Sequence, residues 1–329
     1  MTIYAVGGEE DCFYPVTGQA FATETTSGRY IANLSRGAMK VTQGTSEVEL
    51  NFSSNITTGW LHWYMYQEVA DSNVDDWIQI KKLDGSPAFR ICLNSDGTWA
   101  VQKYVSAAWS ADLAVSASSV LSSAAAYIDV KIIVHASTGE FRIYKDGTEI
   151  LTYTGDTSID NSSFGRIHFK GQTGATKEMN ISQFIAASES TVGWKLATVT
   201  ATGNGANTAF TGDYTAIDEF PLNTSDYVES DTAGQIETYT ASDIDASYST
   251  YNVKAVAVAS RAANDSGSTI TDIQFALRTA STNYFSSNAG LTKDGTDYSV
   301  QRIWETNPNT TAVWTQSEVN GLEIGTKSV

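Results

Sequence analysis

The chain has 329 residues, of which 41% are hydrophobic and 17% charged, and its formal net charge is −17. This length is enough for two domains of ordinary size, and the apolar fraction indicates buried cores rather than disorder. The acidic excess disfavours nucleic acid and anionic membranes as direct partners, because both repel a strongly negative protein.

The beginning of the chain predicts no secretory signal, because residues 1–10 lack a basic stretch followed by an apolar one. Synthesis in a cytoplasm is therefore expected, with release by lysis, as part of a virus particle, as one route to the outside. No run approaches the roughly 18 apolar residues of a membrane span. Cys12 and Cys92 are the only cysteines, and nothing in their spacing requires a disulfide.

Residues 1–45 show little periodicity and predict one or two short strands. Regular alternation of apolar and polar residues begins at Glu47 and continues through several runs to Tyr104. The pairs Asp84-Gly85 and Asp96-Gly97 each separate two such runs. Glycine tolerates positive φ, so these pairs predict tight hairpins between consecutive antiparallel strands.

Residues 106–126 are rich in Ala and Ser and predict a short helical turn or a loop. The most regular stretch follows at residues 127–153, where three apolar-face strands are joined by a Ser-Thr-Gly turn and by Asp146-Gly147. An antiparallel meander with one apolar face needs a second sheet to cover it. The first domain is therefore predicted to be a β-sandwich of residues 1–188.

Residues 189–193 form a short polar stretch that is predicted to be a linker, and a second domain is predicted at 194–329. Its acidic residues concentrate between Asp213 and Asp245, where nine occur without a lysine or arginine. Alternating runs predict further strands at residues 252–261, 270–277 and 298–304. Thr315 and Glu318 have the spacing of a capping box, which predicts a short C-terminal helix stopped by Gly325.

Three segments of the first domain resemble the concanavalin A-like (laminin G-like) sandwich over about residues 40–188. They are Trp60-Leu61-His62-Trp63, Tyr144-Lys145-Asp146-Gly147 and Arg166-Ile167-His168-Phe169. The resemblance implies an all-β chain with an N-terminal jelly-roll sandwich, a second β-rich domain and a short terminal helix. It does not fix the function, because this fold serves lectins, glycosidases and structural modules.

The end of the chain, at residues 306–315 and 319–325, is similar to the C-terminal end of uncharacterised virion proteins of tailed bacteriophages. Asp218-Glu219, Pro221 and Gly234-Gln235 fit the acidic segment of those proteins. The resemblance implies a structural virion component that docks on capsid or tail proteins. Capsid decoration protein, head fibre and tail-associated protein all remain open, and a homo-oligomer is expected because virion sites repeat by symmetry.

Catalytic and metal motifs are weak, so the sequence predicts a non-enzymatic protein without cofactor or metal. A glycosidase needs two carboxylates at fixed spacing, whereas Glu47 and Glu49 have no third acid nearby and are interpreted as part of a solvated strand face. The three histidines, His62, His135 and His168, lack the neighbours of a metal site. A loop with Asp71, Asp75 and Asp76 is either a calcium site or an ordinary polar loop.

Three aromatic residues near turns, Trp99, Tyr104 and Trp109, are the candidate ligand-binding residues, because a sugar ring can stack on such surfaces. The other interpretation is that they pack a sandwich edge or a subunit contact. The sequence thus favours a structural virion protein that acts by protein docking and by contact with host glycans. The alternative is a carbohydrate-binding or polysaccharide-degrading protein for host recognition.

Overall fold

The computed structural model describes residues 1–8, 13–15, 22–42, 47–67, 75–94, 96–117, 120, 124–160, 162–170, 178–220, 223, 225–265, 267–291 and 298–329. The chain divides into two compact units, Met1–Leu196 and Ala197–Val329. The predicted linker at 189–193 therefore belongs to the first unit, and the division falls just beyond it.

The first unit consists of antiparallel strands throughout its described residues. In chain order they are β1 (Ile3–Gly7), β2 (Tyr14–Pro15), β3 (Ala22–Glu24), β4 (Ala38–Thr42), β5 (Glu47–Ile56), β6 (Thr58–Gln67), β7 (Asp75–Lys81), β8 (Pro87–Leu93), β9 (Trp99–Val105), β10 (Ala108–Trp109), β11 (Ala114–Val115), β12 (Ala126–Ile133), β13 (Gly139–Lys145), β14 (Thr148–Gly155), β15 (Phe164–Lys170) and β16 (Glu178–Ala187). The stretch 106–126 thus contributes the short strands β10 and β11 in its described part.

These strands form two sheets. Sheet A has the order β14-β13-β12-β6-β16-β4-β3, with β1 also paired to β16. Sheet B has the order β10-β9-β8-β7-β15-β5-β2, with β11 also paired to β9. Neighbouring strands are often distant in sequence, which is the mark of a jelly roll rather than of a simple meander.

The core of the first unit lies between the two sheets, and large aromatic side chains connect them. Phe89 of sheet B lies 5.4 Å from Phe141 of sheet A, and Trp63 of sheet A lies 5.8 Å from Phe169 of sheet B, between ring centroids. All four side chains are fully buried. The predicted sandwich, with a second sheet covering the meander, is therefore confirmed.

The predicted Asp-Gly hairpins are also confirmed. Asp146 and Gly147 have φ values of 49° and 80°, so both central residues of the β13–β14 turn lie in the left-handed region, as a type I′ turn requires. Gly85 and Gly97 have φ values of 89° and 81° in the turns that join β7 to β8 and β8 to β9.

The second unit is β-rich and contains one short α-helix among its described residues. Its elements are β17 (Ala201–Thr208), β18 (Ile236–Ala241), β19 (Val256–Ala262), β20 (Asp272–Thr279), β21 (Thr282–Phe285), β22 (Ala289–Gly290), β23 (Tyr298–Trp304), α1 (Gln316–Asn320) and β24 (Glu323–Ser328). One sheet has the order β17-β18-β24-β20-β21 with β22 beside β20, and β19 pairs with β23 separately. The predicted all-β class with a short C-terminal helix is confirmed.

Helix α1 begins as predicted but ends earlier. Thr315 and Glu318 form both hydrogen bonds of the capping box, and the helix ends at Asn320 with Gly321 as its C-cap. The prediction that Gly325 stops the helix is wrong, because Gly325 lies inside strand β24. Among the described residues, no helix combines the length and the apolarity that a membrane crossing requires.

Candidate functional site

Strand β9 places two of the predicted ligand-binding residues on opposite faces of sheet B. Trp99 and Tyr104 are five positions apart, and side chains alternate along a strand, so they point to different sides. Trp99 is 2% exposed and belongs to the core between the sheets. Trp99 is therefore unavailable as a stacking surface for a sugar, whereas Tyr104 lies on the outer face and is partly exposed.

The other predicted residue, Trp109, is brought back onto Tyr104 by a tight turn. Ser106 and Ala107 have φ values of 53° and 61°, and the chain reverses so that β10 pairs Trp109 with Tyr104. The two rings meet edge to face, with centroids 5.1 Å apart and an interplanar angle of 74°. Both rings are partly exposed, so they form an aromatic surface at the edge of sheet B.

Polar side chains surround this aromatic pair. The Arg90 guanidinium lies 4.6 Å from the centre of the Trp109 ring, and its Nε donates to Gln102 Oε1 at 2.8 Å. Gln102 Nε2 in turn donates to Asp112 Oδ1 at 2.8 Å. We call Arg90, Gln102, Tyr104, Trp109 and Asp112 the aromatic platform. It combines a stackable surface with planar hydrogen-bonding groups whose positions are fixed by one another.

An ionic network occupies the outer face of sheet B on the strands β5, β7 and β15. Glu49 accepts a hydrogen bond from Lys81 Nζ at 2.9 Å and another from Arg166 Nη1 at 2.5 Å. Partial burial raises the pKa of Glu49, but the hydrogen bond from Lys81 and the charges of Lys81 and Arg166 outweigh it and hold that pKa below its usual value. The Glu49 side chain is only 16% exposed, so the interpretation of this glutamate as part of a solvated face is wrong.

His168 completes this network. Its Nε2 lies 3.1 Å from Glu47 Oε2, without the geometry of a hydrogen bond. Burial and the charge of Lys81 lower the pKa of His168 to about 4, against the opposing charges of Glu49 and Glu47. The imidazole is therefore neutral near pH 7, and Glu49 is ionised and fully engaged. Glu49 is therefore not held as the proton donor that a glycosidase needs.

The outer face of sheet A carries a second polar cluster, which the sequence analysis missed. Strands β6 and β12 pair His62 with Asp129, and His62 Nδ1 lies 2.8 Å from Asp129 Oδ1. The same carboxylate oxygen accepts a hydrogen bond from Thr191 Oγ1 at 2.7 Å. Both His62 and Asp129 are buried, although their side chains face away from the core.

Aromatic rings and a lysine cover this pair. The Tyr127 ring stacks on His62 with centroids 5.2 Å apart, and Lys195 Nζ lies 3.1 Å from the centre of the Tyr127 ring. Burial lowers the pKa of Lys195 to about 8, while the charges of Asp129 and Asp146 oppose the shift. Residues 189–196, which supply Thr191 and Lys195, thus lie over the outer face of sheet A; we call them the strap.

The three histidines do not meet. His62 lies on sheet A, His168 lies on sheet B, and His135 accepts hydrogen bonds from the backbone amides of Ser137 and Thr138 in a turn. Among the residues that the structure describes, no group of three or more His, Cys, Asp or Glu side chains is arranged to hold a metal ion. The predicted calcium loop falls largely outside them: Asp71 is not described, and Asp75 and Asp76 are described only by their backbone at the start of β7.

No protein-family model and no curated protein matches this chain. Among solved structures, it is similar to the endo-β-1,4-glucuronan lyase of the fungus Trichoderma reesei, with 14% identity over 57% of this chain and 96% of that one, and a TM-score of 0.43. Carbohydrate-binding module CBM66 of Bacillus subtilis has 12% identity over 54% and 96% of the two chains, with a TM-score of 0.35. Caenorhabditis elegans galectin LEC-6 has 11% identity over 45% and 95%, with a TM-score of 0.33. At these values the likenesses assign no function to this chain and do not decide between a lyase and a binding module.

Proposed function

We propose that the first unit binds a glycan through the aromatic platform. The observation that supports this proposal is the pairing of Tyr104 and Trp109, with centroids 5.1 Å apart and both rings partly exposed. Ligand sites typically combine aromatic surface with a few precisely placed polar groups. A sugar presents the matching chemistry, because one side of its ring carries C–H groups and its rim carries hydroxyl groups.

The polar part of the aromatic platform is held in place before a ligand arrives. Arg90 is fixed by Gln102 and by the Trp109 ring, and Gln102 is fixed by Asp112. Groups that are already ordered lose little conformational entropy on binding, so each hydrogen bond to a sugar hydroxyl contributes more of its free energy to affinity. The guanidinium and the amide offer donors, and the carboxylate of Asp112 offers an acceptor.

The proposal is for binding rather than hydrolysis. Hydrolysis of a glycoside by the usual route needs two carboxyl groups on either side of the scissile bond, and the aromatic platform as defined contains only Asp112. The carboxylates of the neighbouring network are engaged by Lys81 and Arg166 or lie beside a neutral His168. An assay for new reducing ends on each bound polysaccharide tests this part of the proposal directly.

A glycan array probed with the full chain and two variants tests the proposal. Trp109→Ala removes half of the aromatic pair, while Tyr227→Ala is the matched control, because Tyr227 is 61% exposed and lies in the second unit. We expect the unmodified chain and the Tyr227→Ala variant to bind the same glycans and the Trp109→Ala variant to lose them. An array without any binding, or one that all three proteins bind equally, would refute it.

The place of the protein in a tailed-phage virion remains a separate proposal that rests on the sequence resemblance of the C-terminal end. It includes docking on capsid or tail proteins, a homo-oligomer and assembly in the host cytoplasm. Immunogold labelling of intact particles tests it: gold on particles supports a virion component, and unlabelled particles beside labelled lysate protein contradict it.

A further inference from the structure

The outer face of sheet A concentrates polar atoms that have no partner. Twelve buried side-chain nitrogen and oxygen atoms of the described residues make no hydrogen bond, and five of them belong to His62, Asn180, Ser182 and Gln183. All four residues are 0% exposed. A buried polar group without a partner costs free energy comparable to a lost hydrogen bond, so these atoms need partners that the described residues do not provide.

The sheet brings these residues to one place. On β16, Asn180 and Ser182 lie opposite Tyr66 and Tyr64 of β6, on the face that points away from the core. The Tyr127 ring extends over β6 from the other side: its centroid lies 5.2 Å from that of His62 and 5.0 Å from that of Tyr64. Its hydroxyl donates to Gln183 Oε1 at 3.3 Å. Tyr127 of β12 therefore contacts residues of the adjacent strand β6 and, beyond it, Gln183 of β16.

Gln183 is held in a backbone conformation that its side chain disfavours. Its φ is 56°, at a point where the pairing of β16 with β6 shifts register between Ser182 and Ile185. Strained backbone of this kind persists where the surrounding structure enforces it, and it concentrates at binding and catalytic sites. Because Tyr127 donates to the amide oxygen, the amide nitrogen is left as a donor.

A hydrogen bond with Asp129 orients the His62 ring. A proton on Nδ1 donates to Asp129 Oδ1, and in the tautomer that has only this proton the other nitrogen, Nε2, carries a lone pair. Thr191 of the strap donates to the same Asp129 oxygen and so supports this arrangement. Nε2 is buried and accepts no hydrogen bond from the part of the chain that the structure describes. It is a positioned acceptor for a hydroxyl group.

We propose that this face is a second binding site, which takes a monosaccharide unit or a similar polyol beneath the strap. A ligand hydroxyl donates to His62 Nε2, the Gln183 amide donates to a ligand oxygen, and the Ser182 hydroxyl bonds a neighbouring hydroxyl. The Tyr64 and Tyr127 rings supply apolar surface for the C–H groups. The hydroxyl-rich chemistry of the ligand follows from this mixture of one lone-pair acceptor, two further hydrogen-bonding side chains and two rings.

The strap contacts this face of sheet A at two points. Thr191 is bound to Asp129, and Lys195 lies over the Tyr127 ring. These contacts are local, so the strap can leave without disturbing the pairing of β6, β12 and β16. Ligand entry accordingly requires the strap to detach from Asp129 and Tyr127.

The experiment is a side-chain nitrogen NMR spectrum of the full chain titrated with glucose, galactose, mannose, N-acetylglucosamine and glycerol, one at a time. The chain contains three histidines, and assignment by single variants identifies each. We expect the His62 Nε2 resonance to shift with at least one probe, because the chemical shift of a ring nitrogen changes when its lone pair accepts a hydrogen bond. The resonances of His135 and His168 should stay in place. The absence of any His62 shift up to the solubility of all five probes overturns the proposal.

The variant Gln183→Gly tests whether the Gln183 side chain binds the ligand or only stabilises the fold. Glycine suits the positive φ and removes the unpartnered amide, so a binding role predicts an unchanged or higher melting temperature together with loss of the His62 shift. Thr311→Gly is the matched control, because Thr311 has a φ of 59° in the second unit and its replacement leaves the His62 shift intact. A lowered melting temperature for Gln183→Gly with the shift retained shows a structural residue and contradicts the proposal.

This site is independent of the aromatic platform. The Trp109→Ala variant is expected to lose binding on the array and to keep the His62 shift, so failure of one proposal is distinguishable from failure of the other. Magnetisation transfer can detect a water molecule bound at His62. If this water signal is present and no probe changes it, ordered water is the partner of these atoms and the ligand proposal is wrong.

Discussion

His168 is neutral because of where it lies. Its side chain is 4% exposed on the outer face of sheet B, beside the cation of Lys81. An unfolded histidine has a pKa near 6.5, whereas that of folded His168 is about 4. The unfolded chain therefore binds a proton at this residue more readily than the folded chain does, and stability falls as the pH drops from 6.5 towards 4.

The first prediction concerns this pH dependence. Between about pH 7 and about pH 5, the free energy of unfolding should fall by about 2 kcal/mol more in the unmodified chain than in His168→Gln, because glutamine does not titrate. Urea denaturation at the two pH values measures the difference. The control His135→Gln should keep the full dependence, and equal pH dependence in His168→Gln would contradict the assignment of the effect to His168.

Individual residues also show which structural features could be predicted from the sequence alone and which could not. Alternation of side chains along β9 places Trp99 and Tyr104 on opposite faces of the sheet. The burial of Trp99 was therefore predictable once the strand was recognised. The contact between His62 and Asp129 was not predictable from the sequence, because β6 and β12 are separated by five other strands in the chain and pair only in the folded jelly roll. Pairing between such distant strands leaves no local signal in the sequence.

Strand β24 illustrates the same limit for an element. Residues 319–325 contain a helix-like spacing followed by a glycine, and the sequence alone favours a helix that ends at Gly325. The structure instead inserts β24 between β18 and β20, and Gly325 is needed there because a Cβ would overlap the backbone oxygen of Glu237 on β18. Tertiary packing, and not local propensity, decides the secondary structure of this segment.

The second prediction follows from that close approach. Gly325→Ala should lower the free energy of unfolding of the second unit by about 1–3 kcal/mol, because the added methyl group meets backbone that cannot rotate away. Thermal or urea denaturation of the full chain measures the loss. Gly267→Ala is the matched control, since nothing lies within 4 Å of its added Cβ. A Gly325→Ala variant as stable as that control would contradict the observed packing of β24 on β18.

At the scale of the whole molecule, the chain contains two units, and the strap belongs to the first of them. Composition and alternation predicted both β-rich regions. They placed the division within the strap, at residues 189–193, because these residues are polar, and polarity is shared by linkers and by segments that cover a polar sheet face. The hydrogen bond from Thr191 to Asp129 and the position of Lys195 over the Tyr127 ring distinguish the two cases.

The third prediction tests this role of the strap. A fragment of residues 1–196 should be more stable than a fragment of residues 1–188 by about 1–3 kcal/mol, because the shorter one leaves buried Asp129 without the hydrogen bond from Thr191. Urea denaturation of the two fragments gives the difference. Thr191→Val in the longer fragment should reproduce part of the loss, while Thr191→Ser should not, and equal stability of the two fragments would contradict the account.

Binding of a glycan by the paired rings of the aromatic platform is measurable by calorimetry. The full chain is titrated with the glycan selected on the array, with Trp109→Ala and the control Tyr227→Ala titrated in parallel. We expect Trp109→Ala to weaken binding at least about tenfold, which corresponds to about 1.4 kcal/mol, and Tyr227→Ala to retain full affinity. Equal affinity of Trp109→Ala and the unmodified chain would contradict it.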